Sequence, residues 1–385
     1  MAVDVDDRAL SGLSKTVAID ILVNGAQSRA SLGERLGVSA ATVTRLVKPL
    51  LAADVLIEAD VLRTPGRGRS AFTLDVVPER YRFIGIKLTT ETMYAVVTDL
   101  RARIVDREVV ALGSLRVPDV VETVYTAVRG FQARSGVPVD AVGVTVGGQV
   151  VDGEVVADSP FLHWHDVPFR SLLAKRVGLP VHLGNDVVGL TKVQHWFGYG
   201  RGMPTFALLT VGAGIGYGLV VNNVMVPTHV SPISHYPVDP SGPLCPLGHH
   251  RGCMTAYLAS DSIAAGVSAG RGAPVTFDEA LALAEGGDPV AERVVREAAH
   301  ALGRTASAIS SMTGVERIIL SGEGVHLVEI ARDAVEEGFR QYDIRPSPHD
   351  DIRPSPHADL VIRPMDFIEW ARGAAALAIQ GEFPG

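Results

Sequence analysis

The fold of the N-terminal part is decided by three consecutive segments, Ser31-Leu-Gly-Glu-Arg-Leu36, Gly37-Val38 and Ser39-Ala-Ala-Thr-Val-Thr-Arg-Leu-Val-Lys48. The first segment predicts a short helix, the second a tight corner, and the third a helix with Ser39 at its N-cap. Apolar residues of the third segment recur with the spacing of one buried helix face; they are Val43, Leu46, Val47 and Leu50. Because Pro49 lacks an N–H, we expect this helix to kink or end there.

The opposite face of the second helix is predicted to contact DNA. Its side chains are short near the start and cationic further along, which suits a major groove; they include Ser39, Ala40, Thr42, Thr44, Arg45 and Lys48. Two short strands at 55–57 and 71–74 flank the cationic segment Arg63-Thr-Pro-Gly-Arg-Gly-Arg69, in which Arg67 and Arg69 can enter a minor groove or grip phosphates. Residues 1–75 therefore predict a winged helix-turn-helix, with an ordinary amphipathic helical hairpin as the alternative.

Charge is distributed unevenly along the 385 residues. Residues 1–75 contain nine Lys/Arg and nine Asp/Glu, so the remainder, with 26 against 34, carries the whole net charge of −8. This excludes a general nucleic-acid binder and favours a local DNA contact on an acidic body. The acidic start 1–7 lacks the basic character of a secretory signal, and glycines interrupt the uncharged run 206–229. Two cysteines give no disulfide framework, so we expect a cytoplasmic protein that contacts no membrane.

The pattern changes from residue 81 onward to strands that alternate with longer helices, which predicts an α/β domain over residues 81–385. Strands at 83–88 and 93–98 are expected to form an antiparallel pair. The motif Asp343-Ile-Arg-Pro-Ser-Pro-His349 recurs as Asp351-Ile-Arg-Pro-Ser-Pro-His357, and its prolines predict a surface loop lengthened by duplication.

Several glycine-rich and polar motifs stand in a fixed order in this domain. The turn Thr210-Val-Gly-Ala-Gly-Ile-Gly-Tyr-Gly-Leu-Val220 joins two predicted strands and exposes N–H groups that can cradle phosphate. The others are Gly143-Val-Thr-Val-Gly-Gly148, Leu183-Gly-Asn-Asp-Val187, His235, Cys245-Pro-Leu-Gly-His-His-Arg-Gly-Cys253, Leu320-Ser-Gly-Glu-Gly324 and Trp370-Ala-Arg-Gly-Ala-Ala375.

In that order the motifs resemble the ROK family (repressors, open reading frames and kinases) over nearly the whole chain. The resemblance implies the duplicated actin-like, ribonuclease-H-like α/β fold of sugar kinases. The branch with an N-terminal winged helix consists of bacterial transcriptional regulators, many of which govern sugar uptake and metabolism. Such regulators typically form homodimers or homotetramers.

The resemblance also implies that this chain is not an enzyme. The kinases of the family hold ATP phosphates with an Asp-x-Gly-Gly-Thr turn, and the corresponding residues here are Lys87-Leu-Thr-Thr-Glu91. A cation where the metal must lie, and bulk where phosphate must approach, would disable catalysis. Asp186 matches the catalytic base of the kinases and Asn185 a sugar-hydroxyl ligand. With no catalytic residue expected, we predict that Asp186 accepts a ligand hydroxyl.

The sugar pocket implied by the resemblance is altered. The family motif Glu-x-Gly-His becomes Pro232-Ile-Ser-His235, and a second glutamate becomes Thr255. Loss of two anionic acceptors removes charge-assisted hydrogen bonds worth roughly 1.5–3 kcal/mol each. Either the effector differs from a simple hexose or the pocket is degenerate, and we favour a different or modified carbohydrate. The predicted ligand-binding residues are Gly147, Asn185, Asp186 and His235.

A structural zinc site is also implied, in altered form. The family uses one histidine and three cysteines, whereas here Leu247 replaces the middle cysteine and the last cysteine is displaced by one. Tetrahedral zinc accepts mixed His and Cys ligands. The predicted ligands are His235, Cys245, Cys253 and a neighbouring histidine, with His249 weakly preferred over His250. Two unpaired thiols in a collapsed loop are the alternative.

The leading hypothesis is a repressor that binds double-stranded operator DNA and senses a carbohydrate through a non-catalytic kinase-like domain. A sugar kinase with an appended DNA-binding domain is the first alternative. A regulator that needs no ligand is the second.

Overall fold

The computed structural model describes residues 12–59, 72–227, 232–340 and 358–383. The chain divides into two units, one comprising the residues up to Gly202 together with the segment from Phe367, the other comprising Met203–Asp366. Within the described ranges, no helix is long and apolar enough to cross a membrane. The cationic segment 63–69, with Arg67 and Arg69, and the duplicated motif at 343–357 lie outside these ranges.

The N-terminal part of the first unit consists of three helices and a small antiparallel sheet. Its elements are α1 (Gly12–Asn24), β1 (Gln27–Ser28), α2 (Arg29–Leu36), α3 (Ala40–Ala52), β2 (Leu56–Ala59) and β3 (Thr73–Val76). The strand order is β1-β3-β2. Gly37 has a φ of +67°, which forms the predicted corner, and Ser39 accepts a hydrogen bond from Thr42 N at 3.1 Å, which confirms it as the N-cap of α3. The predicted apolar face of α3 is fully buried.

Helix α3 does not end at Pro49, contrary to one half of the sequence expectation. It continues to Ala52, and Ala53 N donates to Pro49 O at 3.0 Å. Pro49 lies on the exposed side of the helix, where water can solvate the carbonyl of Arg45 that its missing N–H leaves free. Burial of Leu50 holds the final turn in place.

The rest of the first unit is built on a five-stranded sheet, with a three-stranded sheet beside it. Its elements are β4 (Phe83–Leu88), β5 (Thr92–Thr98), β6 (Ile104–Ala111), α4 (Val117–Ser135), β7 (Ala141–Val146), β8 (Gln149–Val151), β9 (Val155–Ser159), β10 (Trp164–Val167), α5 (Phe169–Val177), β11 (Val181–Asn185) and α6 (Asp186–Phe197). The large sheet has the order β11-β7-β4-β5-β6 and the small one β10-β9-β8. The predicted pairing of β4 with β5 is antiparallel, as expected.

The second unit is built on another five-stranded sheet. Its elements are β12 (Phe206–Val211), β13 (Ile215–Val221), β14 (Val224–Met225), α7 (Met254–Leu258), α8 (Ser260–Arg271), α9 (Phe277–Glu285), α10 (Pro289–Thr313), β15 (Arg317–Ser321), α11 (Leu327–Ile330), α12 (Arg332–Arg340) and β16 (Asp359–Ile362). Helix α13 (Phe367–Glu382) returns to the first unit. Helices α7 and α8 are separate, because Ala259 between them has extended backbone angles.

The two large sheets share one topology. The second has the order β14-β13-β12-β15-β16, and in both sheets the first three strands are antiparallel while the last two add in parallel. The first sheet follows the same rule with β4, β5, β6, β7 and β11. The protein therefore has the duplicated α/β fold that the sequence predicted.

Helix α13 packs against the first sheet with almost no side chain between the two backbones. A β-carbon added to Gly143 would lie 1.8 Å from Ala374 O, and one added to Gly85 would lie 2.0 Å from Ala371 O. The same helix crosses α6 where Gly189 meets Gly373, since a β-carbon on Gly373 would lie 2.8 Å from the Gly189 carbonyl carbon.

We expect Gly143→Ala to destabilise the first unit by about 1–3 kcal/mol, because the added methyl group forces α13 away from the sheet. Urea unfolding followed by tryptophan fluorescence measures this directly, since all three tryptophans lie in the first unit. Gly113→Ala is the matched control, because a β-carbon there meets nothing within 4 Å. Equal midpoints for the two variants would contradict the packing argument.

Candidate functional site

The outer face of α3 presents the residues predicted to contact DNA. Ser39, Ala40, Thr44, Arg45 and Lys48 are exposed, whereas Thr42 is half-buried and shares a 2.9 Å hydrogen bond with the Ser39 hydroxyl. Within the described ranges, neither Arg45 nor Lys48 has a carboxylate partner. Their charges are therefore available to an anionic surface.

Asn185 and Asp186 lie where β11 passes into α6. The Asn185 carboxamide oxygen accepts hydrogen bonds from Val187 N at 2.9 Å and Val188 N at 3.3 Å, and its nitrogen donates to Gly148 O at 2.8 Å. Asn185 is thus the N-cap of α6, and both ends of its side chain already have partners within the protein.

Asp186 forms an ion pair with Lys87. Lys87 Nζ lies 2.5 Å from Asp186 Oδ2, and the two side chains are 6% and 16% exposed. The ammonium group also lies 5.5 Å from the ring centroid of the buried Trp370, a distance within the range of a cation–π contact. An internal cation therefore neutralises the Asp186 carboxylate.

Gly147 lies next to this ion pair. A β-carbon at Gly147 would lie 2.8 Å from the Phe161 ring and 3.4 Å from Asp186 Oδ2. Phe161 is 42% exposed, and its carbonyl accepts a hydrogen bond from Thr90 Oγ1 at 3.1 Å. Three predicted ligand-binding residues, Gly147, Asn185 and Asp186, are thus gathered at one end of the first sheet, whereas His235 belongs to the second unit.

The glycine-rich turn between β12 and β13 holds a carboxylate of the protein itself. Ala213 N donates to Glu323 Oε1 at 2.8 Å, and a β-carbon at Gly212 would lie 2.0 Å from that oxygen. One N–H of the turn that the sequence assigned to a phosphate is therefore already paired with an anion.

Four side chains of the second unit form a potential metal site. The ligand atoms of His235, Cys245, His250 and Cys253 all lie within 4.8 Å of one another. His235 Nδ1 lies 3.7 Å from Cys245 Sγ and 3.8 Å from Cys253 Sγ, which agrees with the roughly 3.3–3.8 Å between ligand atoms of a tetrahedral zinc ion. Both thiols are buried and unbridged, and burial raises the pKa of Cys253 above its ordinary value.

The fourth member of this cluster is His250, so the preference for His249 was wrong. Cys245 N donates to His250 O at 2.9 Å in a tight hairpin, which brings His250 alongside Cys245. The ring centroids of His235 and His250 lie 5.1 Å apart. His249, one residue earlier, does not belong to the cluster.

Thr255 differs from a ligand-binding glutamate in its surroundings as well as its charge. Its side chain is 7% exposed, and its hydroxyl donates to Ser234 O at 2.7 Å. Thr255 therefore secures the backbone next to His235 and has no free donor for a ligand.

Residues 83–380 match the ROK family, and the chain belongs to that family. It is 22% identical over 335 residues to the DNA-binding transcriptional repressor Mlc of Escherichia coli K12, with 82% of each chain covered.

Solved structures with the same fold include a regulator and a kinase. The fold resembles that of a ROK family transcriptional regulator, a homologue of the E. coli MLC protein, with a TM-score of 0.78, 20% identity and coverage of 97% of this chain and 98% of the other. A ROK family glucokinase from Streptomyces griseus, solved with glucose and AMPPNP, has a TM-score of 0.63 and 27% identity, covering 78% of this chain and all of the other.

Three features of the site were missed by sequence reasoning: the partner of Lys87, the contact of Lys87 with Trp370, and the contact of Glu323 with the glycine-rich turn. A lysine inside the apolar strand 83–88 is itself a signal, because a buried ammonium group requires a partner. Asp186 is the acidic residue directly after a strand of the same sheet. Glu323 carries no comparable signal, since an exposed glutamate is ordinary.

We expect Lys87→Met to destabilise the first unit by up to about 3–5 kcal/mol, because it leaves the Asp186 carboxylate largely buried and unpaired. Lys87→Met combined with Asp186→Asn should recover most of the loss, since no uncompensated charge remains. Urea unfolding monitored by tryptophan fluorescence compares the two. A double variant as unstable as Lys87→Met would show that the ion pair is not the cause.

Proposed function

We propose that this protein is a DNA-binding transcriptional repressor that senses a carbohydrate through a ROK domain without kinase activity. The observation that carries the proposal is the pairing of Lys87 with Asp186, at the two positions where an active kinase needs a free acidic group and room for a metal ion. Arg45 and Lys48, which are exposed on α3 and have no carboxylate partner among the described residues, support the DNA-binding half of the proposal. Similarity to the Mlc repressor over 82% of both chains supports it.

Operator DNA is the proposed macromolecular partner, and residues 1–75 and 81–385 are the proposed DNA-binding and ligand-binding domains. Arg45 and Lys48 would face the major groove, with Arg67 and Arg69 gripping the flanking backbone. A homodimer or homotetramer would present paired helices to the two halves of a palindromic site. Sites bound across the genome would identify the operator and, through the adjacent genes, the effector.

Sugar phosphorylation is the second candidate, because the Streptomyces griseus glucokinase shares the fold at 27% identity. Lys87 opposes it, since an ammonium group already occupies the Asp186 carboxylate. Incubation with ATP, magnesium and a panel of sugars separates the two: substantial turnover would overturn the proposal of a non-catalytic regulator.

The proposed effector is a polyhydroxylated molecule that contacts Asp186 beside Gly147. Because Asn185 is engaged in capping α6, its carboxamide would contribute by holding Asp186 in position. His235 is the remaining proposed contact.

Asp186→Ala, combined with Lys87→Met so that no buried charge is left unpaired, should abolish the influence of the effector on DNA binding while DNA affinity itself changes little, because both residues lie outside the proposed DNA-binding domain. Plain glucose should bind weakly, since Pro232 and Thr255 replace two glutamates. Calorimetry with a sugar panel and operator-binding assays on the variant measure both effects. Tight glucose binding, or a normal effector response in the variant, would contradict the pocket assignment.

Arg45→Ala should relax base preference in operator binding, because loss of a base-edge contact removes about 1–3 kcal/mol of discrimination. Arg67→Ala or Arg69→Ala should instead weaken binding to most sequences and lower its salt dependence. Arg116→Ala is the control, since it removes an exposed cation from outside residues 1–75. Binding titrations at several salt concentrations measure the DNA affinity of all four variants. If the variants at Arg45, Arg67 and Arg69 bound DNA like the parent, the winged-helix assignment would be rejected.

Structural zinc is the proposed occupant of the His/Cys cluster, since two thiolates and two imidazoles are a common tetrahedral donor set. When bound, the ion would fix the hairpin 245–253 against His235 and so hold the His235 side chain in place.

Protein purified without added metal should contain about one zinc ion per chain. His250→Ala should lower this content sharply, whereas His249→Ala, a change of the same size one residue away, should not. Elemental analysis of the parent and the two variants measures the zinc content per chain. Absence of zinc in the parent, with both thiols titrating freely, would favour the collapsed loop.

A further inference from the structure

Helix α6 is tied at both ends to groups outside itself. It begins at Asp186, beside the proposed ligand contacts, and ends at Phe197. The Phe197 carbonyl is one of those that no N–H of the helix can reach, and it accepts a hydrogen bond from Arg372 Nη2 at 3.4 Å. A shift of α6 along its axis therefore acts on the guanidinium group of Arg372.

Arg372 is held by α13, which cannot slide independently of α6. The neighbouring residue Gly373 meets Gly189 backbone to backbone, so the two helices move together or collide. Arg372 Nη1 also bonds Glu369 at 2.8 Å, and its side chain is only 17% exposed. The guanidinium group is thus a fixed part of α13.

Arg372 of α13 is also bonded to the turn between β5 and β6. Arg372 Nε donates to Ala102 O at 2.7 Å, and Ala102 has the left-handed φ of +53°. The buried Asp99 carboxylate fixes this turn by accepting from Arg101 N at 2.8 Å and Arg103 N at 2.9 Å. One carboxylate thus holds both neighbours of Ala102, and with them a backbone conformation that non-glycine residues rarely adopt.

The turn between β5 and β6 contacts the end of the N-terminal sheet. The Arg101 guanidinium forms an ion pair with Asp75, a residue of β3 that pairs with Ile57 of β2. Leu100 N donates to Pro78 O at 3.1 Å in the segment that follows β3. Arg101 Nε is buried without an acceptor among the residues that the structure describes, so the pair is made by one end of the guanidinium group. Such a contact can break and re-form without unfolding either partner.

We infer that Arg372 and Arg101 are positioning residues that couple the ligand end of α6 to the DNA-binding domain, through the path Phe197, Arg372, Ala102, Arg101 and Asp75. The inference rests on the proposed function and adds the residues by which its two halves communicate. Linkage makes the coupling reciprocal, so DNA bound at α3 must alter α6 just as a ligand at α6 alters DNA binding. This reciprocity allows a test without knowledge of the effector.

The test measures amide hydrogen exchange in full-length protein, free and bound to a DNA duplex selected from a random library by the parent. In the parent, bound duplex should change exchange of α6 by about fivefold or more, the lower limit of typical coupling. In Arg101→Ala and Asp75→Asn the duplex should still bind, but the change in α6 should be lost. The charge-swapped pair Arg101→Asp/Asp75→Arg should restore it.

Arg103→Ala is the matched control, because it lies in the same turn and has an exposed side chain away from the path. It should keep the parental response. Loss of the response in Arg103→Ala, its persistence in Arg101→Ala, or no change in α6 of the parent on duplex binding would overturn the coupling while leaving DNA binding established. Failure to select any duplex would overturn the proposed function itself, and the inference with it.

Discussion

The backbone-to-backbone packing of α13 is the constraint on which the first unit depends. Glycines at 85 and 143 admit the helix so closely to the sheet that side chains could not fit between them, and Gly189 does the same for the crossing with α6. A helix packed at this distance has one position and one rotation. This packing also fixes the positions of Trp370 and Arg372 on α13. The indole ring of Trp370 faces Lys87, and the guanidinium group of Arg372 donates hydrogen bonds to the end of α6 and to the turn at Ala102.

In each unit, a charged side chain of the protein engages a group that the sequence analysis had assigned to a ligand. Lys87 neutralises Asp186 in the first unit, and Glu323 engages the glycine-rich turn in the second. Buried ion pairs stabilise little relative to apolar packing, because desolvation offsets the attraction. The stability that the Lys87–Asp186 pair adds therefore does not by itself explain its presence. The fold shared with sugar kinases is thereby kept while the protein itself occupies these two groups.

Local patterns in the sequence were sufficient for much of this structure. The apolar spacing in 43–50 predicted the buried face of α3, and alternation of strands with helices predicted an α/β domain, because burial and periodicity act over a few residues. The duplication followed only from the resemblance to the ROK family. Partners distant in sequence were not predictable in this way: Lys87 and Asp186 are 99 residues apart. The choice between His249 and His250 likewise depends on how a hairpin folds back on itself. Pro49 shows the converse, since tertiary burial of the next residue overrides a local preference.

The ion pair of Lys87 with Asp186 also has an evolutionary consequence. Unless a metal ion lay between them, an aspartate at position 87 and Asp186 would place two carboxylates side by side in a nearly buried site, where like charges repel strongly. The genetic code offers no single-nucleotide path from lysine to aspartate. Passage through glutamate meets the same repulsion, and passage through asparagine leaves Asp186 unpaired. Each route away from Lys87 therefore passes through a buried carboxylate that is unpaired or repelled, so the lysine is held in place as long as Asp186 is kept.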